Sequence, residues 1–365
     1  MRHEERIRRF VEETWQWYVH HQRILPWRDL AIEDDTQRAY PILVSEVMLQ
    51  QTQVSRVQII FKQFIERFPT IQDLAKASNR DVLIAWRGMG YNSRALRLRD
   101  AARTIMEDFG GVFPREMDAL LSIKGIGPYT AAAIRNFAFN LPTPCIDTNI
   151  RRILHRTFIG PENPDGTWKK DDAYLLKLAG EVLRIALEVS RRPEPSCSSA
   201  ARCSFGIHCA NESRDDEGRK FQQRHTGATW HSALMDFGSL VQTKSNPKWY
   251  LCPLTAAGIM KATRKSYERA MSYGTSSKLK DQSSKLREPG RQVGGRFVPN
   301  RIFRGKVVDL LRDHPSGLTL RNIGREVCID WEGKSPIMTW MKKLLNGLQE
   351  DGMVERRQQK YLLLH

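Results

Sequence analysis

The stretch from Leu121 to Arg156 constrains the fold of this chain more than any other part of it. Two glycines flank one apolar residue in a tight turn, and Pro128 follows where a helix accepts its first residue. A helix N-terminus after such a turn presents unpaired backbone N–H groups, which suit a phosphate. Turns of this kind also join helices that bind nothing, so both interpretations stay open. The candidate phosphate-binding residues are Gly125, Ile126, Gly127 and Thr130.

Asp147 follows in the same stretch, at the start of a second predicted helix. Ile150, Ile153 and Leu154 recur at helical spacing after it. An Asp at this position caps a helix in most proteins. A carboxylate can also stabilise a positively charged sugar during glycosidic cleavage, and the two roles are compatible.

Glu46 is the second carboxylate of interest. We expect Pro41 to open its helix, on which Glu46 shares a face with Ile42 and Leu49. Apolar surroundings favour the protonated acid. A neutral and an ionised carboxyl group form the pair that glycosidic cleavage needs, since one protonates the leaving base and the other stabilises the sugar. The alternative is that Glu46 belongs to a solvated helix face.

These motifs resemble the MutY-type adenine DNA glycosylases of the helix-hairpin-helix (HhH-GPD) superfamily. Ser45 to Val54 is similar to that family's signature, and the resemblance runs in order from about Phe10 to Leu254. It implies an all-α helix-hairpin-helix glycosylase core of two helical subdomains. In such a core Glu46 protonates a flipped base, and Asp147 stabilises the oxocarbenium-like sugar.

The resemblance also implies residues that line the base pocket or insert into the DNA. Trp27 and Arg28 lie in an entry motif, while Gln51 and Tyr91 match residues that insert beside the flipped nucleotide. A Trp or Tyr in a helical protein is more often part of the core. The candidates are Trp27, Arg28, Gln51, Tyr91, Asn149 and Ser232.

Tyr129 indicates the reaction type. Relatives that also nick the DNA backbone carry a lysine at this point, whose amine attacks the sugar. The tyrosine therefore implies a monofunctional enzyme that uses water, with Tyr129 as a third catalytic residue that orders the water or the phosphate.

The chain departs from the family pattern in three places. The positions that match the family's cluster cysteines hold Gln242, Trp249, Cys252 and Gly258. We therefore expect no [4Fe–4S] cluster and no other cofactor, with Trp249 and Tyr250 filling the space. Ser232 stands where adenine-specific members place Glu or Gln, which weakens the case for adenine. The family's usual C-terminal domain is not recognisable.

The sequence predicts a glycosylase domain over 1–260, with an insertion at about 191–225, a basic flexible linker over 261–300 and a winged-helix-like domain over 301–365. The last domain contains three amphipathic helices and a hairpin around Gln358 and Gln359. Its alternatives are DNA binding and the docking of another protein. The predicted DNA-contacting residues of its recognition helix are Lys342, Lys343 and Asn346, and the linker cations are Lys278, Lys280, Arg296 and Arg301.

Composition agrees with nucleic acid as the partner. The chain has 58 Lys and Arg against 41 Asp and Glu, a net charge of +17 and a pI near 9.8, which favours salt-dependent binding to double-stranded DNA. No apolar segment reaches membrane-spanning length, and the N-terminus does not begin a secretory signal. We expect an intracellular monomer, cytoplasmic and nucleoid-associated if bacterial or archaeal, with a downstream AP endonuclease as partner.

Three of the six cysteines lie in the insertion. Cys197, Cys203 and Cys209 are spaced more widely than usual for zinc ligands, which favours incidental cysteines over a zinc site. Cys145 and Cys328 are predicted core residues.

The leading function is removal of adenine opposite guanine or 8-oxoguanine. The runner-up is removal of thymine or uracil opposite guanine, since related enzymes share the Tyr129 and Asp147 arrangement. A mismatch-binding or regulatory DNA protein with an idle pocket is the non-enzymatic alternative, and the presence of both carboxylates disfavours it.

Overall fold

The computed structural model describes residues 1–189, 226–277 and 289–365, apart from Asp29 and Ala31. These residues are mostly helical, as the spacing of the apolar residues predicted. In these ranges no helix combines the length and the apolar character needed to cross a membrane. The predicted zinc ligands Cys197, Cys203 and Cys209, and the linker residues Lys278 and Lys280, lie outside the described residues.

The helices and the strands are each numbered in chain order. The helices are α1 (His3–His21), α2 (Asp35–Leu49), α3 (Val54–Arg67), α4 (Ile71–Lys76), α5 (Asn79–Ala85), α6 (Ser93–Asp108), α7 (Met117–Ser122), α8 (Pro128–Phe137), α9 (Thr148–Phe158), α10 (Asp172–Val189), α11 (Gly227–Leu240), α12 (Pro253–Ala256), α13 (Arg264–Ser277), α14 (Asn300–Arg312), α15 (Leu320–Val327) and α16 (Ile337–Glu350). The strands are β1 (Gly290–Val293), β2 (Arg296–Pro299), β3 (Leu318–Thr319), β4 (Val354–Arg357) and β5 (Lys360–Leu363).

The chain divides into two compact units, which we describe separately. The first unit combines Met1–Arg23 with Arg135–Asp281, and the second combines Ile24–Ile134 with Gln282–His365. Each unit therefore contains two separate stretches of the chain.

The first unit packs α1, α9, α10 and α11 around one apolar core. Ile150, Ile153 and Leu154 on α9 are fully buried, as their helical spacing predicted. Trp230 of α11 packs its ring edge-on against Phe10 of α1, with the ring centroids 6.1 Å apart. This packing fixes the start of α9, where Asp147 lies.

The helix that carries Glu46 begins earlier than the sequence predicted. Pro41 lies inside α2, because Asp34 caps the helix by accepting a hydrogen bond of 2.7 Å from the backbone N–H of Gln37. The prediction that Pro41 opens the helix is wrong. A proline removes one backbone donor from a helix. In α2 the cap at Asp34 and the burial of the following residues stabilise the helix despite this loss.

The winged-helix arrangement of the C-terminal domain is confirmed. Helices α14, α15 and α16 form where predicted, and β4 and β5 pair in antiparallel fashion around Gln358, with β3 completing a sheet of order β3-β5-β4. The apolar side chains of this domain point inward, since Val307, Ile323 and Met341 are fully buried. Cys145 and Cys328 are buried, also as predicted.

Two parts of the predicted basic flexible linker, 261–300, have regular secondary structure. Arg264–Ser277 is helical, and the ring of Tyr267 packs in a tilted orientation against that of Trp249, with the ring centroids 5.8 Å apart. Further on, β1 and β2 form a hairpin whose turn is Gly294-Gly295, both with positive φ. A pair of glycines suits such a two-residue turn, and this signal lay in the sequence.

Candidate active site

Asp147 caps helix α9 through one of its carboxylate oxygens and is held through the other. Its Oδ1 accepts a hydrogen bond of 2.6 Å from the backbone N–H of Ile150. Its Oδ2 accepts one of 2.8 Å from the side-chain amide of Asn149. The predicted cap is therefore confirmed, and the two contacts fix the orientation of the carboxylate.

A buried arginine holds Asn149 in turn. Arg152 lies one turn further along α9 and donates a hydrogen bond of 2.6 Å to Oδ1 of Asn149. Its guanidinium also donates to the backbone carbonyls of Gly238, in the last turn of α11, and of Gln242, just after that helix. A continuous chain of contacts thus runs from the end of α11 to the carboxylate of Asp147.

Two opposing effects act on the ionisation of Asp147. Burial raises its pKa above the ordinary value of 3.8, because removing water penalises the carboxylate. Hydrogen bonds from Ile150 and Asn149 and the charge of Arg152 lower the pKa and partly offset the effect. The site therefore holds an incompletely solvated carboxylate, which interacts strongly with a cation brought close to it.

Glu46 lies on the buried face of α2 in the second unit. Its side chain is only 6% exposed, so the alternative that Glu46 belongs to a solvated helix face is wrong. Ile42 and Val47 on the same helix are also buried. Glu46 therefore lies inside the fold of the second unit, away from bulk solvent.

Arg94 on α6 is a further residue at this site, and no motif in the sequence marks it. Its buried guanidinium donates to the carbonyls of Val47 and Met48, at the end of α2, and to those of Met89 and Gly90. Burial lowers its pKa to about 10. Arg94 therefore fastens the helix of Glu46 to the turn that carries Tyr91.

Two of the predicted DNA-inserting residues have unusual backbone conformations. Gln51 has a φ of 58° and Tyr91 one of 46°, both in the left-handed region that favours glycine. Both side chains are exposed, Tyr91 to 44%. Strained, exposed loop residues of this kind occur most often at functional sites.

The hairpin of the second unit has the geometry that the sequence predicted. Gly125 has a φ of 102°, Ile126 is buried beneath the turn, and α8 begins at Pro128. Gly125 and Gly127 are exposed, whereas Thr130 is buried on α8. The turn thus leaves its backbone open to a ligand at the start of a helix. Tyr129 is half-buried in the first turn of α8.

Similarity to known proteins agrees with this geometry. Residues 44–171 match the family model described as HhH-GPD superfamily base excision DNA repair protein. The chain is 30% identical over 350 residues to the adenine DNA glycosylase of Mycolicibacterium smegmatis, which covers 94% of this chain and 92% of that protein. The chain belongs to the adenine DNA glycosylase family.

More local similarity extends to other members of the adenine DNA glycosylase family. The chain is 42% identical over 161 residues to the adenine DNA glycosylase of Mus musculus, which is 43% of this chain and 31% of that protein. The structure of a thermostable thymine-DNA glycosylase matches with a TM-score of 0.51 at 22% identity, over 73% of this chain and 98% of that one. This last likeness concerns the fold alone.

The remaining base-pocket candidates of the glycosylase family occupy varied surroundings. Trp27 is buried and packs edge-on against Phe61, with the ring centroids 5.5 Å apart. Arg28 is half-buried, and its backbone N–H closes a turn on Leu25. Ser232 is buried on α11. Their roles toward a base stay predictions.

The positions of the glycosylase family's cluster cysteines form a polar network in this chain. The amide of Gln242 donates to Sγ of Cys252 over 3.3 Å, and the buried guanidinium of Arg156 donates to Gln242 and pairs with Glu162 at 2.7 Å. Tyr250 is 84% exposed, so the expectation that it fills this space is wrong. One cysteine and a set of amide and guanidinium groups do not fit a cluster that needs four thiolates.

Proposed function

We propose that this chain is a monofunctional DNA glycosylase that hydrolyses the N-glycosidic bond of adenine mispaired with guanine or 8-oxoguanine in double-stranded DNA. The observation that carries the proposal is the carboxylate of Asp147, half-buried and oriented by Asn149 at the start of α9. Membership of the adenine DNA glycosylase family supports the choice of base.

The two carboxyl groups have different roles in this reaction. Glu46 donates its proton to the leaving adenine while the bond from C1′ of the sugar to the base breaks, and the base takes the bonding electrons. Asp147 stays ionised and stabilises the positive charge that develops on the sugar. Water then adds to C1′ and loses a proton, which leaves an abasic site for a downstream AP endonuclease.

Water is the proposed nucleophile because position 129 is a tyrosine. A Schiff base with the sugar requires an amine, and the hydroxyl of Tyr129 cannot form one. Tyr129 lies in the first turn of α8, directly after the hairpin, where we place its hydroxyl toward the attacking water or a DNA phosphate. The proposed phosphate contacts are the backbone groups of Gly125 to Gly127 and Thr130.

The proposed enzyme works without an iron–sulfur cluster. The contacts of Arg156 with Glu162, Gln242 and the face of Tyr267 replace it as the tie between α9 and the loop after α11. We expect purified protein to contain no stoichiometric iron or acid-labile sulfide, measured by metal analysis and by absorbance. Stoichiometric iron would contradict this proposal and would point to ligands outside the described residues.

A second candidate base is thymine or uracil opposite guanine. Ser232 is the observation in its favour, because a small hydroxyl stands where adenine-specific relatives place a longer acidic or amide side chain. A serine makes fewer contacts with a purine than a glutamate or glutamine does.

A release assay decides between these substrates. Single-turnover base release is measured on otherwise identical duplexes that contain A·8-oxoG, A·G, T·G, U·G or hypoxanthine·T. We expect release of adenine from the first two, and no strand scission until the abasic site is treated with alkali. Release from T·G and U·G alone would overturn the adenine assignment, and no release from any duplex would support a mismatch-binding protein instead.

A further inference from the structure

The winged-helix domain contacts the turn that presents Tyr91. We call residues Arg87 to Asn92 the Tyr91 turn. Arg312, at the end of α14, is only 5% exposed and donates hydrogen bonds to the carbonyl of Leu83 at 2.9 Å and to Oδ1 of Asn92 at 3.0 Å. Asn92 is itself buried, and it directly follows the tyrosine. These buried contacts indicate a built interface between the C-terminal domain and this end of the turn.

The other end of the Tyr91 turn is held by an ion pair. Arg87 contacts Asp313, which follows α14, at 2.5 Å. Both side chains are largely exposed, so this pair adds little stability alone. With this pair, the C-terminal domain contacts both the first and the last residue of the Tyr91 turn, which restrains the position of the turn.

The tyrosine itself receives a contact from the start of the same helix. Arg301 on α14 donates a hydrogen bond of 2.7 Å from its guanidinium to the hydroxyl of Tyr91. The same guanidinium lies 6.0 Å from the centre of the tyrosine ring, and that of Arg94 lies 5.7 Å from it. The ring therefore has a cationic neighbour from each part of the second unit.

This arrangement restrains a side chain that would otherwise move freely. An exposed tyrosine on a turn changes rotamer within nanoseconds. Arg94 donates hydrogen bonds to the carbonyls of Met89 and Gly90, the two residues that precede Tyr91. Arg301 donates the hydrogen bond that the hydroxyl of Tyr91 accepts. The C-terminal domain thus holds the hydroxyl end of the Tyr91 side chain, and the glycosylase helices hold the backbone of the turn that carries it.

We propose that Arg301 is a positioning residue for Tyr91, and that the docked winged-helix domain thereby sets the side chain that enters the DNA. The proposal rests on the proposed function and on the expectation, implied by the family resemblance, that Tyr91 inserts beside the flipped nucleotide. A tyrosine that is already held in one orientation loses less conformational entropy when it inserts into DNA, which favours binding. The gain in binding free energy is greatest at a mismatch, where the base pair opens easily. Arg301 should therefore govern discrimination between mismatched and paired DNA.

An arginine that only contacts a phosphate behaves differently. It strengthens binding to mismatched and to paired duplexes alike and contributes about 0.9 to the slope of log K against log salt. The ratio of the two affinities, measured at one salt concentration, separates these roles.

The first test uses the full-length protein without DNA. Tyr91 is replaced by 3-fluorotyrosine, and its fluorine NMR resonance is recorded for the wild type, Arg301→Ala and Lys306→Ala. Lys306 is exposed on the same helix and serves as the matched loss of one charge. We expect Arg301→Ala to shift and sharpen the resonance and Lys306→Ala to leave it in place. A resonance of Arg301→Ala that superimposes on the wild type would overturn the proposal.

The second test is a double-mutant cycle on DNA. The affinity ratio of an A·G duplex to its fully paired counterpart is measured for wild type, Arg301→Ala, Tyr91→Phe and the double variant. We expect each single change to lower the ratio by about threefold to tenfold, the range of an exposed charged hydrogen bond. The affinity ratio of the double variant should be no lower than that of the single variant with the lower ratio, because both changes remove the same contact. Equal weakening of both duplexes, or losses that multiply, would contradict the proposal.

Failure of the two proposals can be told apart. A wild-type protein that binds both duplexes equally and releases no base contradicts the proposed function. The fluorine spectra do not depend on DNA and still decide whether Arg301 holds Tyr91.

Discussion

At the scale of single residues, the proposed chemistry depends on how Asp147 is held. Its carboxylate accepts hydrogen bonds on both oxygens, and Asn149 links it to the buried Arg152. The sequence predicted the cap, because Asp followed by an amphipathic run is a local pattern. It did not predict the link to Arg152, because local sequence patterns do not show which buried donor will meet which acceptor in the fold.

The raised pKa of Asp147 predicts an acidic limb in the rate of base release. The carboxylate must be ionised to stabilise the sugar, so the single-turnover rate should fall as pH is lowered through a pKa above 3.8. Asn149 lowers that pKa by hydrogen bonding to the charged form, so Asn149→Ala should move the limb to higher pH. The rate is measured at saturating enzyme. A limb that stays in place or moves to lower pH would contradict the assigned cause.

Arg94 shows the same limit on reading a sequence. Its carbonyl partners at Val47, Met48, Met89 and Gly90 belong to two segments that no short motif connects. The family resemblance marked the Glu46 helix and the Tyr91 turn, yet the residue that ties them together emerges only from the fold.

At the scale of elements, α11 approaches α9 closely near the helix cap formed by Asp147. A Cβ atom on Gly238 would lie 2.6 Å from Cβ of Asn149 and 3.1 Å from Cδ1 of Ile153. Glycine is therefore required for the two helices to pack as they do. The contact places Asn149 where it can donate to Asp147.

Substitution of Gly238 tests this packing. Gly238→Ala should displace Asn149 and lower the rate of base release by about tenfold to hundredfold, with about 1–3 kcal/mol lost in unfolding free energy from overpacking. Gly180→Ala on α10 is the matched control, since its Cβ would meet only Pro144 at 3.8 Å. Denaturant unfolding and single-turnover release are measured for both. A Gly238→Ala variant as active as Gly180→Ala would show that the close approach does not position the site.

Elements were predicted best where one local signal decided them. The three helices and the hairpin of the C-terminal domain follow apolar spacing, and the structure has them where the sequence placed them. The start of α2 was wrong because Pro41 is a common first helical residue, while here Asp34 caps the helix earlier. The hairpin of β1 and β2 was missed because its strands are short and charged.

At the scale of the whole molecule, the net charge of +17 and the C-terminal domain predict DNA binding beyond the catalytic core. Lys342, Lys343 and Asn346 are exposed on α16, so they are available to a ligand. The structure adds a role for this domain that the sequence did not suggest, since its contacts with the Tyr91 turn tie it to the glycosylase helices.

Charge removal on α16 tests its DNA contact. If Lys342 and Lys343 each contact a phosphate, replacing both by alanine should make the slope of log K against log salt shallower by about 0.9 per contact. The rate of base release at saturating enzyme should change far less than the affinity does. Both are measured on one mismatched duplex, with Lys306→Ala as a charge control. An unchanged slope would mean that this helix faces a protein partner.

The variant Asp147→Asn tests whether base release depends on this carboxylate. Asparagine caps a helix as well as aspartate does, so the fold should persist. Because the pKa of Asp147 is raised in the folded chain, the wild type loses stability as pH rises through the interval above 3.8, and the variant is spared that loss. Its melting temperature at pH 7 should therefore be no lower than that of the wild type.

The decisive measurement is single-turnover adenine release from an A·8-oxoG duplex, made together with equilibrium binding to the same duplex. We expect Asp147→Asn to bind within a few-fold of wild type and to release base at least about a hundredfold to a thousandfold more slowly, because only the charge facing the sugar is lost. Release within a few-fold of the wild-type rate would remove Asp147 from its role and contradict the account.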